Sequence, residues 1–319
     1  MAAPVLLTYG ESNVDETLTL TMTNLIPGIK DNIFRENTLL GWLYENAKKK
    51  VKGGTSVSHG IRYAKNTSVG SYERYDTLIT TPEDNLTRDQ WPWKQYYASV
   101  AIDGYTERVN TGQFAIDDAL DEKKEQAELS LKEELEIDLF AASPGSKDIR
   151  SLPVVVLASG TEGQINGTTS TWWQSQVTTA GSWAGGVGRS ALVTLLNTLA
   201  KRNPTGMPDI LVSDQDDVER YESSLVAQYR YSNGNPDIGA KKLLFKEIPW
   251  IWSVQATADV IYALGKGAIN LIVSSDADFI VTPFVKPGNQ DARVGQILFM
   301  AAVTTGNRRK LGKTISNAA

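Results

Sequence analysis

Residues 91–106 read WPWKQYYASVAIDGYT. Every second position gives Trp91, Trp93, Gln95, Tyr97, Ser99, Ala101, Asp103 and Tyr105. The other register gives Pro92, Lys94, Tyr96, Ala98, Val100, Ile102, Gly104 and Thr106. A period of two marks a β-strand. A strand half-buried in a globular core separates apolar from polar residues. Here large aromatics and polar groups fall on both sides. The stretch is therefore expected to lie on surfaces that its own chain does not supply, with Trp91, Trp93, Tyr96 and Tyr97 making intersubunit contacts.

The flanking sequence supplies a partner strand. TSVSHGIRYAK alternates from Ser56 to Lys65, and NTSVGSYERYDTLITTPEDNLTRDQ at 66–90 reads as a polar connector. Residues 51–110 thus form a long β-hairpin with a wide tip. Sixteen residues of strand span about 50 Å. An isolated two-stranded ribbon is marginal in water, and no internal docking partner is evident.

Next comes the strongest helix, Phe114–Phe140, without Pro or Gly and about 40 Å long. Ile116, Leu120, Ala127, Leu131, Leu135 and Leu139 trace one apolar line along it. Ten acidic residues against three lysines make it a structural spine with a wet acidic face, stopped by Ser143-Pro144-Gly145. Upstream, Leu39, Leu40, Leu43, Tyr44 and Ala47 predict a short helix whose last turn holds Lys48–Lys50 and which Gly53-Gly54 ends. Residues 1–36 read as an extended arm with a turn at Pro27-Gly28.

Beyond the spine, 152–158 (LPVVVLA) reads as a short buried strand, followed by a Gly/Ser/Thr-rich loop pinned by Trp172, Trp173 and Trp183. SALVTLLNTLAKR is a helix with Ser190 as its N-cap, and a further helix begins after Ser213, also read as an N-cap. LLFKEIPWIWS, VIYALGKG, AINLIVS and FIVTPFVKP follow as strands and loops. An apolar strand from Val294 to Val303 closes the chain before a basic stretch, Arg308, Arg309 and Lys310, expected to touch nucleic acid or a neighbour's acidic helix. Strands and helices without regular βαβ alternation indicate the α+β class.

Composition narrows the chemistry. The 319 residues include no cysteine, which removes disulfides, thiolate nucleophiles and cysteine–zinc sites. A single histidine, His59, sits on a Gly/Ser-rich strand and is read as a surface residue. A net charge of −5 argues against tight phosphate binding by the whole surface. The first residues lack the charged start and apolar core of a signal peptide, and no run approaches the roughly 18 apolar residues of a membrane helix. Synthesis in a reducing cytoplasm is expected. GSWAGGVGRS at 181–190 fails as a phosphate loop: Arg189 replaces the lysine, and Trp183 stands where a glycine is needed. Asp214, Asp216 and Asp217 suit a first helical turn, and Asp276 and Asp278 suit a turn rather than a calcium loop. No catalytic residue, cofactor or metal site is assigned. Tryptophans near carboxylates leave a carbohydrate-active enzyme or binder as one alternative.

Extended parts cost about 1–2 kcal/mol of backbone entropy per ordered residue, so they favour a chain whose buried surface comes from neighbours. NPTGMPDILVSDQDDVERYESSL, KKLLFKEIPWIWS, FIVTPFVKPGNQDARVGQILFMAAVTTGNRRKLG and, earlier, INGTTSTWWQSQ resemble segments of tailed-bacteriophage major capsid proteins of the Hong Kong 97-type fold. The order of parts agrees over essentially the whole chain. The resemblance implies an N-terminal arm and short helix at 1–50, an extended loop at 51–110, and a peripheral domain at 111–189 completed by 291–319. Residues 190–290 would form the axial domain. It implies self-assembly as hexamers and pentamers into an icosahedral shell around double-stranded DNA, located in the virion, with no enzymatic activity and no cofactor. Portal protein, nonspecific contact with packaged DNA, and a decoration protein are the further partners it implies. About 50 residues precede the loop, where some members carry a scaffold-like segment, so a separate scaffolding protein is expected. Lys65 and Lys94 are available for the loop cross-link some members make. An encapsulin-like nanocompartment shell is the nearer alternative.

Overall fold

The computed structural model describes residues 38–105, 113–180, 183, 187–202, 207–224 and 243–315, with the backbone alone for 113–122. Helix α1 (Thr38–Asn46) leads into β1 (Lys48–Val51). The hairpin region carries β2 (Ser56–Val57), β3 (Gly60–Arg62), β4 (Leu86–Arg88), β5 (Trp91–Pro92) and β6 (Lys94–Asp103). The long helix α2 (Gln113–Phe140) follows, then a single turn α3 (Leu152–Val155), β7 (Thr161–Glu162), β8 (Ile165–Asn166), β9 (Gln176–Thr179) and α4 (Val187–Arg202). The remainder holds β10 (Ile210–Ser213), α5 (Gln215–Ser224), β11 (Leu243–Phe245), β12 (Ile248–Trp252), β13 (Val260–Leu264) and β14 (Ile269–Ser274). It ends with β15 (Ile280–Val281), β16 (Ala292–Thr305) and β17 (Gly312–Ile315), with single 3-10 turns at Thr171–Trp173 and Arg308–Lys310. The α+β expectation holds. Among the described residues no helix is long and apolar enough to cross a membrane.

Two sheets organise these strands. In the first the order is β1-β14-β16-β15, and β6 also pairs with β16. In the second it is β11-β12-β10-β13-β17-β9. Strands β13 and β14 are buried along their whole length, which is why VIYAL and INLIVS run apolar without alternation. Helix α4 lays Leu192, Leu195, Leu196 and Leu199, one face at helical spacing, against Trp183, Leu211, Tyr221, Phe245, Trp250 and Ile261. The glycine-rich lead-in to α4 has a packing role: a Cβ on Gly188 would stand 2.7 Å from the Trp183 ring.

The chain divides into two compact units. Among the described residues, one holds 97–105, 113–130 and 281–297, and the other the rest. In the first unit, Gly104 N donates to Asp291 O at 2.7 Å, and a Cβ there would fall 2.5 Å from the Asp291 carboxylate. Thr282 N donates to Gln296 O, and Val285 and Val294 exchange hydrogen bonds, making a hairpin of 281–297.

Several local expectations are corrected. Lys48–Lys50 are not the last turn of α1 but strand β1, in parallel register with β14 from Lys48↔Leu271 to Val51↔Ser274. Sheet pairing overrides helix propensity there. Residues 152–155 form a helical turn rather than a strand, with Pro153 at its start, a position that needs no backbone donor. Helix α4 begins at Val187, so Ser190 lies inside it. Ser213 belongs to β10, where its Oγ accepts from Trp250 Nε1 at 2.8 Å, and Asp214 Oδ1 accepts from Gln215 N at the start of α5 instead.

The spine is confirmed as one helix over Gln113–Phe140, with Leu131, Leu135 and Leu139 buried. The side chains of Ile116 and Leu120 lie outside the described residues. Its acidic face is not wet throughout. Glu136 is buried and caps α1: it accepts from Leu39 N at 3.2 Å and Leu40 N at 2.8 Å, and Ser253 Oγ donates to it at 3.0 Å. An anion at a helix N-terminus meets unpaired N–H groups and the positive end of the dipole. Burial pushes the Glu136 carboxyl up, and these hydrogen bonds act against that rise. Replacing Glu136 with Ala leaves two backbone donors and a buried hydroxyl without an acceptor. The expected loss is about 2–4 kcal/mol, read as a lower midpoint in chemical denaturation of the unassembled chain.

Candidate assembly surfaces

The hairpin is broken into short ladders whose root is fastened to its own subunit. Val57 pairs with Trp91 and Ser56 with Pro92; further out, Gly60 pairs with Arg88 and Arg62 with Leu86. Between them, fully buried Asp89 accepts from the His59 backbone N–H and from Trp91 Nε1 at 2.8 Å, with His59 Nδ1 at 3.1 Å from its other oxygen atom's side. Trp91, Ile61 and Trp173 form a buried cluster, and Val57, Ile165 and Trp172 pack around it. The segment 161–166 seats the root. Gln90 N donates to Gly163 O at 3.0 Å, and Trp173 Nε1 donates to Glu162 O at 3.0 Å. Gly163 has φ 60°, and a Cβ there would stand 2.9 Å from the Asp89 Cβ and 3.1 Å from the Trp91 ring. Both backbone and space require glycine.

This placement corrects the reading of the opening stretch. Trp91 is 1% exposed within its own chain and has no surface left for a neighbour. Trp93 is half-buried, its Nε1 donating to Gly54 O at 3.0 Å. Tyr96 is half-buried, donates to Asp138 Oδ2 at 2.6 Å and accepts from Ile149 N at 2.7 Å. Burial and the Asp138 carboxylate push the Tyr96 hydroxyl well above the usual tyrosine range. Burial, then the Asp148 charge, raises the Asp138 carboxyl. Of the four aromatics, Tyr97 is the exposed one. The alternation is real but changes phase where β5 ends and β6 begins, at Trp93. Trp91 points inward, whereas in β6 the inward set is Lys94, Tyr96, Ala98, Val100 and Ile102.

The tip, read as a polar connector, carries the exposed apolar groups instead. Val69 is 80% and Tyr75 92% exposed, and Tyr72, Leu78 and Ile79 are each more than half exposed. These five lie within eleven residues. The signal was present in the sequence as branched and aromatic residues in an otherwise polar segment. The tip has internal order. Glu83 accepts from Thr67 N, Thr67 Oγ1, Ser68 Oγ and Asn85 Nδ2, tying the outgoing chain to the returning one. These bonds, the Thr67 hydroxyl's first, hold the Glu83 carboxyl down to about 2. Tyr63 stacks on Trp172 with ring centroids 5.4 Å apart, leaning the outgoing strand on the same loop that receives the root.

The basic C-terminal stretch is also corrected. Arg308 is fully buried, and its guanidinium holds a turn of its own subunit: Nε donates to Val155 O at 3.0 Å and Nη2 to Leu157 O at 3.1 Å. Arg309 and Lys310 are half-buried in the same 3-10 turn, capped by Asn307, whose side chain accepts from Arg309 N. A sugar-stacking platform finds no support either, because Trp91, Trp173, Trp183 and Trp250 are core residues. No group of three or more metal-ligating side chains occurs among the described residues.

No protein-family model and no curated protein matches the chain. Solved structures do match it along nearly its whole length. The Cyanophage A-1(L) capsid asymmetric unit is similar at 13% identity, over 92% of this chain and 96% of that one, with a TM-score of 0.68. The capsid of a native GTA particle is similar at 12% identity, over 97% and 99%, with a TM-score of 0.65. The capsid of Myoviridae Phage XM1 is similar at 11% identity, over 96% and 100%, with a TM-score of 0.59. The matches take in the hairpin, the spine helix and both sheets together, and the chain has the Hong Kong 97-type fold of phage capsid proteins.

Proposed function

We propose that this chain is the major capsid protein of a tailed bacteriophage, made in the host cytoplasm and assembled as hexamers and pentamers into an icosahedral shell around double-stranded DNA. One observation carries the reading. A hairpin whose root is locked into its own subunit presents Val69, Tyr72, Tyr75, Leu78 and Ile79 to solvent at its tip. A soluble monomer gains nothing from such a set, and exposed apolar groups concentrated in one place mark an interaction surface. A neighbouring copy covers them in a lattice. The fold shared with capsid structures supports the same role. In this reading 51–110 is the extended loop, 111–189 with 291–319 the peripheral domain, and 190–290 the axial domain. Portal, scaffolding and decoration proteins are the partners such a shell requires or accepts, and the role needs no cofactor and no catalysis.

The test is direct. The expressed chain, alone or with a scaffolding protein, is expected to elute as megadalton particles that negative-stain microscopy resolves into capsomers. A discrete small oligomer under every condition would overturn the reading. Replacing Tyr72 and Tyr75 with Ser is expected to leave the denaturation midpoint of the free subunit unchanged, because neither ring is buried. The same variant is expected to give few or no shells by sedimentation. Normal shell yield would remove the tip from the contact.

A further inference from the structure

The outward face of β3 and β4 carries Arg62 and Arg88. Ile61 is buried and Thr87 half-buried, so the opposite residues Gly60, Arg62, Leu86 and Arg88 all face solvent. The register Gly60↔Arg88 and Arg62↔Leu86 makes the two arginines diagonal neighbours on that face, about 7–8 Å apart at the backbone. Two guanidiniums side by side repel each other unless an anion joins them. Within the chain none does: neither side chain has a hydrogen bond or ion pair. The ladder that carries them is fixed from behind by Ile61, Trp91 and Trp173, so their position is set before any partner arrives.

The complementary feature lies at the end of α2. Glu133 and Glu134 are adjacent there, and Glu134 is exposed. Asp138 and Asp148 stand close enough to add to the negative potential at Glu134, as does Glu133. Burial comes first among the causes that push the Glu134 carboxyl up, and all three charges push it the same way. Asp138 is engaged by Tyr96 and Asp148 by Gly145 N, whereas Glu133 and Glu134 have no partner. One chain therefore presents a rigid pair of unpaired cations and an unrelieved pair of anions.

We infer that Arg62 and Arg88 of one copy clasp the carboxylates of Glu133 and Glu134 on the spine helix of a second copy. The inference rests on the shell reading above, which supplies the second copy. Arginine suits the task because its planar fork meets a carboxylate with two parallel N–H donors. The pairing also sets direction: it fixes which part of the neighbour the hairpin overlies, as charge pairs across interfaces commonly do.

The experiment uses the full chain under conditions where the wild type forms shells. R62E/R88E is expected to raise the subunit concentration needed for shells by about tenfold or more, with an unchanged melting curve for the free subunit. The reciprocal variant E133R/E134R should fail in the same way, and the four substitutions combined in one chain should restore shells. Wild-type assembly should weaken from 0.15 M to 1 M salt, as the screening length falls from about 8 Å to about 3 Å. Normal shells from R62E/R88E overturn the inference while leaving the shell reading intact. Failure of the fourfold variant to recover assigns the arginines a different partner and also overturns it. Normal empty shells from R62E/R88E that no longer retain nucleic acid would mean that the guanidiniums face phosphate instead. A wild type that never assembles removes the shell reading itself.

Discussion

Trp91→Ala is expected to destabilise the isolated subunit by about 3–5 kcal/mol, the range for removing a fully buried large aromatic side chain. Trp91 closes the cluster with Ile61 and Trp173 and abuts Gly163, so its loss opens a cavity bordered by Gly163 backbone that has no side chain to relax into it. It also removes the Nε1–H donor from Asp89, whose carboxylate is fully buried and then depends on the His59 contacts alone among side chains and on the His59 backbone N–H. Trp93→Ala, at a half-buried ring joined to Gly54 O by one exposed hydrogen bond, is expected to cost about 1 kcal/mol or less. Denaturant titration of the unassembled chain checks both. Equal midpoints for wild type and Trp91→Ala would mean that the hairpin root does not fold before assembly. If the values hold, any assembly defect of the Trp91 variant follows from losing the root rather than from a missing contact with a neighbour.

The contrast between these two tryptophans shows what the sequence could and could not carry. The spine was legible because a stretch from Phe114 to Phe140 without Gly or Pro, with leucines at helical spacing, admits few other conformations. Strands β13 and β14 were legible as short, continuous apolar runs. The alternation of 91–106 was legible as well, but its phase change at Trp93 depends on where pairing stops, which is a property of the partner strand. β1 was misread as helix because KKKV has no strand signature of its own; its pairing with β14 comes from more than two hundred residues away. Buried charges were the least legible part. Nothing near Glu136 distinguishes it from the solvated acids of the same helix, and its partners Leu39 and Leu40 lie 97 and 96 residues away. The candidate contact surface was misassigned for a related reason. Aromatic residues in a strand drew attention, whereas the tip's apolar residues, scattered among polar ones, have no periodicity to betray them.

Arg308→Met is expected to be the other severe substitution, at about 3–5 kcal/mol, the cost of breaking a buried charged network by removing one partner. The guanidinium reaches 153 residues back to Val155 O and also donates to Leu157 O, so its removal strands carbonyls that no water reaches. Methionine fills a similar volume, which separates the lost donors from a simple cavity. A second consequence distinguishes this network by its response to pH. Glu162 is buried; burial raises its carboxyl, while Arg150, 3.6 Å away, and Arg308 hold it down. A carboxyl raised in the folded state favours folding below its ordinary range, and that contribution is lost as pH rises through the folded value. Without Arg308 the carboxyl rises further, so the penalty of its charge near pH 8 grows, and protonation on acidification relieves it. The stability gap between wild type and Arg308→Met should therefore narrow from pH 8 toward pH 5. Adding Glu162→Gln to the variant should recover part of the loss at pH 8 and less at pH 5. A gap that stays constant across that range would show that Glu162 does not feel the Arg308 charge, leaving the two carbonyls to account for the whole effect.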